Sequence, residues 1–378
     1  MAGVDLAASF KAAARAMRDS RVNASLLRGA ALDIEADGVM ARLLRAVLDR
    51  GERNGRVLLP DELPSRFAAA VHALALTGSR ELAAMYPSTG GHGNLHEIWP
   101  VARDVVAERA GEIIARMIRP GRRSDPARGA MLLAALAYVG QSSGQPVRIF
   151  DVGAGPGFAL AAPMFRQDFF GHSVGPADSA VYLGHPWAVA PQVDHQDIPP
   201  ILAATGCDLV GFDPSSSADR AELLAWAGPD TPSELERISQ AIAAVDRAGI
   251  QVEQMASSVW LPRGISWPRT DAASVVWHSD VVLEMAVPER TELATEILGA
   301  AGRATDAAPL HVISFEPAGA QRLLYDDPVG ASLRRGAARI DPHRFELRLD
   351  SWPSRTSVLL ASAEPSGQNA HWIGSMHD

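Results

Sequence analysis

Over residues 1–140 apolar positions recur at helical spacing, Ala, Leu and Arg dominate, and runs of β-branched residues are scarce, which predicts a helical N-terminal domain. One helix is marked between Trp99 and Ile118, where Pro100 suits a first turn and Val106, Ala110, Ile113, Ile114 and Met117 share a face. A second follows Pro126, with Ser124 or Asp125 as cap, and ends near Gly140. Its apolar run AMLLAALAYVG is about half the roughly 20 residues that span a bilayer, so it reads as a buried helix. From Val147 the pattern changes to short apolar strands alternating with amphipathic helices, which predicts a parallel sheet with crossover helices over 141–378. The strands are expected in VRIFDV, CDLVGF, IQVEQ, ASVVWHS and PLHVISFEP, with a helix opened by Thr231, Pro232 and Glu234 and another after Pro288. FELRLDSW and RTSVLLASA then form an antiparallel hairpin. The stretch 165–206 is too long for a simple connection; Phe165, Phe169, Phe170, Tyr182 and Trp187 suggest a small subdomain overhanging a ligand crevice, or a packing insertion.

A length of 378 residues suits about two domains with a sizeable core. Hydrophobic residues at 47% and charged residues at 21% exclude a disordered chain and a membrane bundle. The net charge of -9 is the wrong field for a protein that binds phosphate backbones, so a small-molecule or protein substrate is expected and no nucleic acid partner; with the apolar run too short to span a bilayer, no membrane partner is expected either. Lys11 is the only lysine and lies outside any glycine loop, which removes P-loop and pyridoxal chemistry. The lone Cys207 cannot make an intrachain disulfide, and the first residues lack the apolar core of a secretion signal, so a cytoplasmic location is expected.

The main chemical signal is Asp151-Val152-Gly153-Ala154-Gly155-Pro156-Gly157, directly after VRIF and before a helix expected at Phe158. Glycines at the carboxyl end of a first strand let backbone approach a ligand where doubly wound sheets bind cofactors. Dinucleotide loops are spaced GxGxxG; this loop is GxGxG, and with its leading acid it resembles the S-adenosylmethionine loop of class I methyltransferases. Five parallel strands closed by an antiparallel hairpin likewise form the strand programme of the Rossmann-like methyltransferase sheet. Asp151, Gly153, Ala154, Gly155 and Gly157 are therefore the expected cofactor-binding residues. An acid ending the second strand would accept the ribose hydroxyls, a role assigned to Asp213, and Ser257 stands after the third strand where an adenine-contacting acid is customary.

The order YPSTGG, RRSDPARG, DVGAGPG, VGFDPSSSADRAELLAWAGPD, VVWHSDVV, ISFEPAG and FELRLDSWP resembles the actinobacterial family of unknown function DUF2332 over most of the chain. The resemblance implies a methyltransferase-like fold and no particular activity. Against that family's pattern this chain lacks the acid of a GDA motif at Ala256 and carries Asp125 and Pro126 where Asn and Glu are usual.

His278 and Ser279 follow the fourth strand, at the edge where such folds present groups to a methyl acceptor, and a His with an ordinary pKa near 6.5 suits a proton acceptor. Asp280 and Glu316 are secondary catalytic candidates. Tyr86, Ser88, Asp125 and Ser279 are candidates for substrate contact, Tyr86 to His92 forming a polar tract suited to a lid or to an ordinary loop. The groups His92, His96, Glu97 and Asp194, His195, Asp197 lack the spacing of a metal set, and Arg119, Arg122 and Arg123 read as a solvated face. The leading expectation is an S-adenosylmethionine-dependent methyltransferase acting on a small molecule. The alternatives are a non-catalytic binding protein retaining the fold and, third, a nicotinamide-dependent oxidoreductase.

Overall fold

Helices in chain order are α1 (Leu6–Ala16), α2 (Arg21–Glu35), α3 (Val39–Arg53), α4 (Leu63–Thr77), α5 (Arg80–Ala83), α6 (Ile98–Glu108), α7 (Ala110–Ile118), α8 (Arg128–Ser143), α9 (Ser217–Leu224), α10 (Pro232–Ala248), α11 (Ser257–Trp260), α12 (Pro262–Ile265) and α13 (Val287–Ala301). The computed structural model describes residues 5–17, 20–54, 58–119, 121, 123–169, 172–320, 322–324 and 340–374. Phe170 and Arg122, singled out in the sequence, lie outside the described residues. The chain divides into two compact units, Met1–Arg123 with Ser215–Ser239, and Ser124–Pro214 with Gln240–Asp378. The boundary expected at 140/141 differs on two counts, because α8 belongs to the second unit and 215–239 returns to the first.

The first unit is helical. Its core gathers one face from each long helix: Phe10 from α1, Leu26 and Leu27 from α2, Met40 and Leu44 from α3, Phe67 and Leu74 from α4, with Val106 and Met117 from α6 and α7. Burying each such side chain stabilises by about 1.5–3 kcal/mol, which is how alanine-rich helices of modest length hold together. The helix expected over 99–118 is two helices, broken at Arg109, whose φ of -109° and ψ of 26° leave the helical region. The break lets Val105 and Val106 on one side and Ile113 and Met117 on the other both reach the core, which a straight helix of uniform period would not require. Thr231 and Glu234 meet as expected at the start of α10, the hydroxyl donating to the carboxylate at 2.8 Å.

The second unit is mixed α/β, built on a large, mostly parallel sheet. Its strands are β1 (Val147–Val152), β4 (Trp187–Val189), β5 (Ile201–Asp208), β6 (Val252–Gln254), β7 (Ala273–Ser279), β8 (Leu310–Ala318), β9 (Asp341–Trp352), β10 (Thr356–Ala363) and β11 (Ala370–Trp372); β2 (Gln167–Phe169) and β3 (His172–Val174) pair apart. The order is β4-β11-β10-β9-β8-β7-β1-β5-β6, nine strands rather than the five plus a hairpin expected. The five expected strands are parallel, in spatial order third, second, first, fourth, fifth, and β9 with β10 is the antiparallel hairpin. Two short strands carry the sheet further: β11 beyond the hairpin, and β4, which comes from the 165–206 segment and pairs parallel with β11. Two aromatic residues of that segment join the same edge. Phe169 meets Trp187 edge-on at 6.4 Å between centroids, and Trp187 meets Trp372 of β11 at 5.9 Å. Its cluster is thus continuous with the sheet, because residues this apolar are buried wherever a neighbouring apolar face exists.

The central strands β1 and β7 are buried on both faces, as helix-covered parallel strands must be, and read as nearly unbroken apolar runs. α8 is almost wholly buried within this unit, in keeping with its apolar sequence. Among the described residues no helix is long and apolar enough to cross a membrane.

Candidate active site at the carboxyl edge of the sheet

The strand order reverses direction between β1 and β7, and open α/β sheets bind ligands outside the carboxyl ends of their strands at such a point. Asp151 to Gly157 and His278 to Asp280 converge there because β1 and β7 run parallel in register, Val152 beside His278. Glu316 of β8 lies next to them, its register partner being Glu346 of β9.

The glycine turn is shaped by three left-handed glycines, Gly153, Gly155 and Gly157, with φ of 73°, 53° and 82°. Two are enclosed: a Cβ at Gly153 would fall 2.5 Å from Val281 Cγ2, and one at Gly157 3.0 Å from Ile250 Cγ2. Gly155 is open, its nearest neighbour being Ser124 Oγ at 4.0 Å. The turn's amides point inward. Gly153 and Ala154 N–H both donate to Cys207 O at 2.9 and 3.0 Å, Gly157 N–H donates to Ala154 O at 2.8 Å, Gly155 N–H donates to Asp208 Oδ2 at 2.9 Å, and Pro156 has none to give. No α-helix follows at Phe158. The chain runs through turns to a 3-10 helix at Ala162–Met164, because Gly157 sits at positive φ and Pro163 closes the run within six residues. With these four N–H groups used within the protein and no α-helix N-terminus following, the Gly153–Gly157 turn does not itself present the donors a pyrophosphate needs.

Asp151 is buried, and its Oδ2 has no hydrogen-bond partner among the described residues. Burial, reinforced by the nearby Asp208 carboxylate, pushes its pKa well above the usual carboxylate range, which favours the protonated form. The same surroundings push the Cys207 thiol up to about 12, so it is a small apolar filler and no nucleophile. The strand expected to end at Asp213 ends at Asp208 instead; Asp213 lies five residues on, in an irregular stretch. Asp208 ties down the turn, its second oxygen accepting from Val210 N–H at 2.8 Å.

His278 is buried, with Nδ1 2.8 Å from Glu316 Oε1. That oxygen also accepts from Val281 N–H at 3.2 Å, and Glu316 Oε2 is buried without a partner among the described residues. A carboxylate on Nδ1 fixes the ring and its tautomer and leaves Nε2 as the nitrogen for proton exchange. Asp280 has a different part. It holds a left-handed φ of 56° and pairs with Arg128 Nη2 at 3.1 Å, while Arg128 Nη1 donates to Ser279 Oγ at 3.3 Å and Nε to Pro365 O at 2.8 Å. The guanidinium also lies over the Phe345 ring, 5.5 Å from its centroid. So Ser279 and Asp280 are anchored by an arginine that the sequence disguised as one of many; its place inside RRSDPARG was the available signal. Asp125 turns the chain into α8, accepting from Ala127 N–H at 2.8 Å, two residues on, and does not cap the helix. Ser257 opens α11 and donates to Glu289 Oε1 at 3.3 Å.

Tyr86 and Ser88 belong to the helical unit. Tyr86 is fully buried and stacks on His72, with centroids 5.5 Å apart and planes at 23°, and Ser88 Oγ lies 2.8 Å from His72 Nε2. The tract expected as a lid is therefore partly core, because Tyr86 is the one large aromatic in it and has a buried ring to stack on. Asp194 and Asp197 form a capping box around a short 3-10 helix, and His195 pairs with Asp194 at 2.9 Å.

Fold and edge together define a mixed α/β protein with a polar, glycine-bordered edge at the switch point of its sheet. The family model described as "Uncharacterized protein conserved in bacteria (DUF2332)" matches residues 7–372, and the chain belongs to that family. No curated protein and no solved structure matches it.

Proposed function

We propose that the sheet unit is an S-adenosylmethionine-dependent methyltransferase acting on a small molecule that bears a hydroxyl or amine. The observation that carries this reading is the glycine turn at the β1/β7 switch point: the amides of Gly153, Ala154, Gly155 and Gly157 are used within the protein, and the buried Asp151 Oδ2 beside it lacks a partner among the described residues. Those features fit a ligand with a cationic amino group and no phosphate. Asp151 would ionise against that amino group, Gly155 would leave room for the backbone to approach, and Asp208 or Asp213 would accept ribose hydroxyls. When bound, the cofactor supplies a methyl group already activated as a sulfonium. The chain then has little chemistry left beyond alignment and removal of one proton. His278 Nε2 accepts that proton while Glu316 on Nδ1 stabilises the imidazolium that forms. Asp280 is paired with Arg128, so it serves as an anchor for the β7 edge.

A second reading, a binding protein that retains the fold, is favoured by Ser257, whose hydroxyl is bonded to Glu289 where an adenine-contacting acid is customary. Calorimetric titration of the whole chain with S-adenosylmethionine, S-adenosylhomocysteine and NADH tests the proposal. Binding of the sulfur nucleosides, abolished by Gly155→Val, is expected; binding of NADH alone overturns it. Sulfur-nucleoside binding without methyl transfer to any acceptor would favour the second reading.

A further inference from the structure

α8 packs against β8 and β9 on the face that carries Phe345, whose ring lies under the Arg128 guanidinium. Period-two alternation puts Glu346 and Arg348 of β9 on the opposite face, and the register carries that face across the sheet: Arg348 stands beside Ser314 of β8, and Ser314 beside His278 of β7. The bond from His278 Nδ1 to Glu316, two residues beyond Ser314, agrees with this placement. Base, hydroxyl and guanidinium therefore form one row across three neighbouring strands, with about 10 Å between the outer Cα atoms, two strand spacings.

The face closes below this row and opens at it. Val312 and Asp350, the register partners below, are buried, and Asp350 accepts from Arg322 Nη2 at 2.8 and 3.0 Å. At the row and above it Ser314, Glu316, Glu346 and Arg348 are half-buried. Arg348 Nε and Nη2 both donate to one oxygen, Glu346 Oε2, at 3.0 and 2.8 Å. A guanidinium commonly grips a carboxylate through two parallel bonds to its two oxygens. Here Nη1 has no partner among the described residues, on a side chain that is 27% exposed, and the Ser314 hydroxyl has none either. Glu346 thus holds Arg348 as Glu316 holds His278, each carboxylate fixing a side chain whose remaining nitrogen is left for something outside the chain.

We infer that the methyl acceptor is a hydroxy or amino acid, its carboxylate received by Arg348 Nη1 and the Ser314 hydroxyl and its nucleophile set against His278 Nε2. The placement of the nucleophile rests on the methyltransferase reading; the anion subsite is the addition. In a chain of net charge -9, Arg348 is the one guanidinium among the described residues of this row and the row above, so an anion has a single cation to meet there. Because the row spans about 10 Å, carboxylate and nucleophile lie at opposite ends of the acceptor, as across a benzene ring, and not on one carbon.

The test is nuclear magnetic resonance of the whole chain, isotope-labelled at its arginine and histidine nitrogens and titrated with 4-hydroxybenzoate or 4-hydroxybenzamide in the presence of S-adenosylhomocysteine. The acid should shift the Arg348 Nε and His278 ring signals together and to saturation. The uncharged amide should bind roughly 10- to 100-fold more weakly, the scale of losing a hydrogen bond between charged groups. Arg348→Gln, at a half-buried position, should remove the difference between acid and amide, and Ser314→Ala should narrow it by a smaller factor. No shift with the acid, equal affinity for acid and amide, a difference that survives Arg348→Gln, or a shift reproduced by sodium chloride at the same ionic strength each overturns the inference. Binding of S-adenosylhomocysteine is measured by calorimetry on the same samples; its failure would count against the methyltransferase reading, while the comparison of acid with amide would still decide the anion subsite.

Discussion

Two buried ionisable side chains, His72 in the helical unit and Asp151 in the sheet unit, are treated in opposite ways. In the helical unit His72 has both ring nitrogens hydrogen-bonded, to Ala225 O and to Ser88 Oγ, and an aromatic ring against its face. In the sheet unit Asp151 is as deeply buried, yet one carboxyl oxygen has no partner among the described residues. Both groups are held neutral by the cost of burying charge. A satisfied buried group is part of a finished structure, whereas an unsatisfied one marks a place where something outside the chain can complete the bonding. That difference is why the ligand is assigned to the sheet edge.

The largest effect expected concerns the sheet edge itself. His278→Ala should lower methyl transfer by a factor of about 100 to 10,000, the range for loss of a general base, with affinity for S-adenosylhomocysteine nearly unchanged. Full turnover in that variant would make the His278–Glu316 pair structural and would erase the chemical contrast between the units.

The pH dependence of stability should differ in sign between the two. His72 falls from 6.5 in the unfolded chain to about 4 when folded, so between those values the unfolded chain binds more protons. Stability of the helical unit should be full above about pH 6.5 and lost on acidification, by roughly 3 kcal/mol once the folded pKa is passed. Hydrogen exchange resolved by segment, comparing wild type with His72→Gln, reads this out; an unchanged slope in the variant would break the comparison.

Asp151 works the other way. Its folded pKa lies well above the unfolded 3.8, so the folded chain keeps a proton the unfolded chain has lost, and stability declines as pH rises from 3.8 to the folded value. Asp151→Asn should flatten that decline in the sheet unit and, lacking the charge for an ammonium, weaken S-adenosylmethionine binding. A variant that binds as well as wild type would show that the orphan oxygen is not a ligand contact.

The smallest stability change is expected at Gly155. Asn tolerates left-handed backbone better than other side chains, and the site is open, so Gly155→Asn should cost less than about 1 kcal/mol in thermal unfolding while filling the space a ligand would use. Loss of stability without loss of binding would reverse the roles assigned to Gly155 and the enclosed Gly153.

Much of the sheet was legible because each parallel strand carries its own apolar run, as in VRIFDV and ASVVWHS, and strand formation in such runs depends little on distant neighbours. The break at Arg109 was not legible, since Ala102, Val106, Ile113 and Met117 keep a helical repeat across it. Asp208 is not legible as the end of the second strand, because a strand's end is set by where its partners stop, and β6 pairs with β5 only as far as Asp208. The helix expected after Gly157 failed for a backbone reason that the residues contain but do not announce: glycine permits positive φ without requiring it.

The sequence by itself determined the order of the five parallel strands and the hairpin, the glycine turn, the single lysine and the family, since these depend on local pattern and residue identity. Only the tertiary structure decided that Glu316 holds His278, that Arg128 holds Asp280, that Asp208 holds the turn, and that Ser88 meets His72. Those pairs join residues 16 to 152 positions apart. No local pattern encodes such distances, because the contacts arise when packing of the apolar faces brings separate strands and helices together and buried polar groups must then find partners.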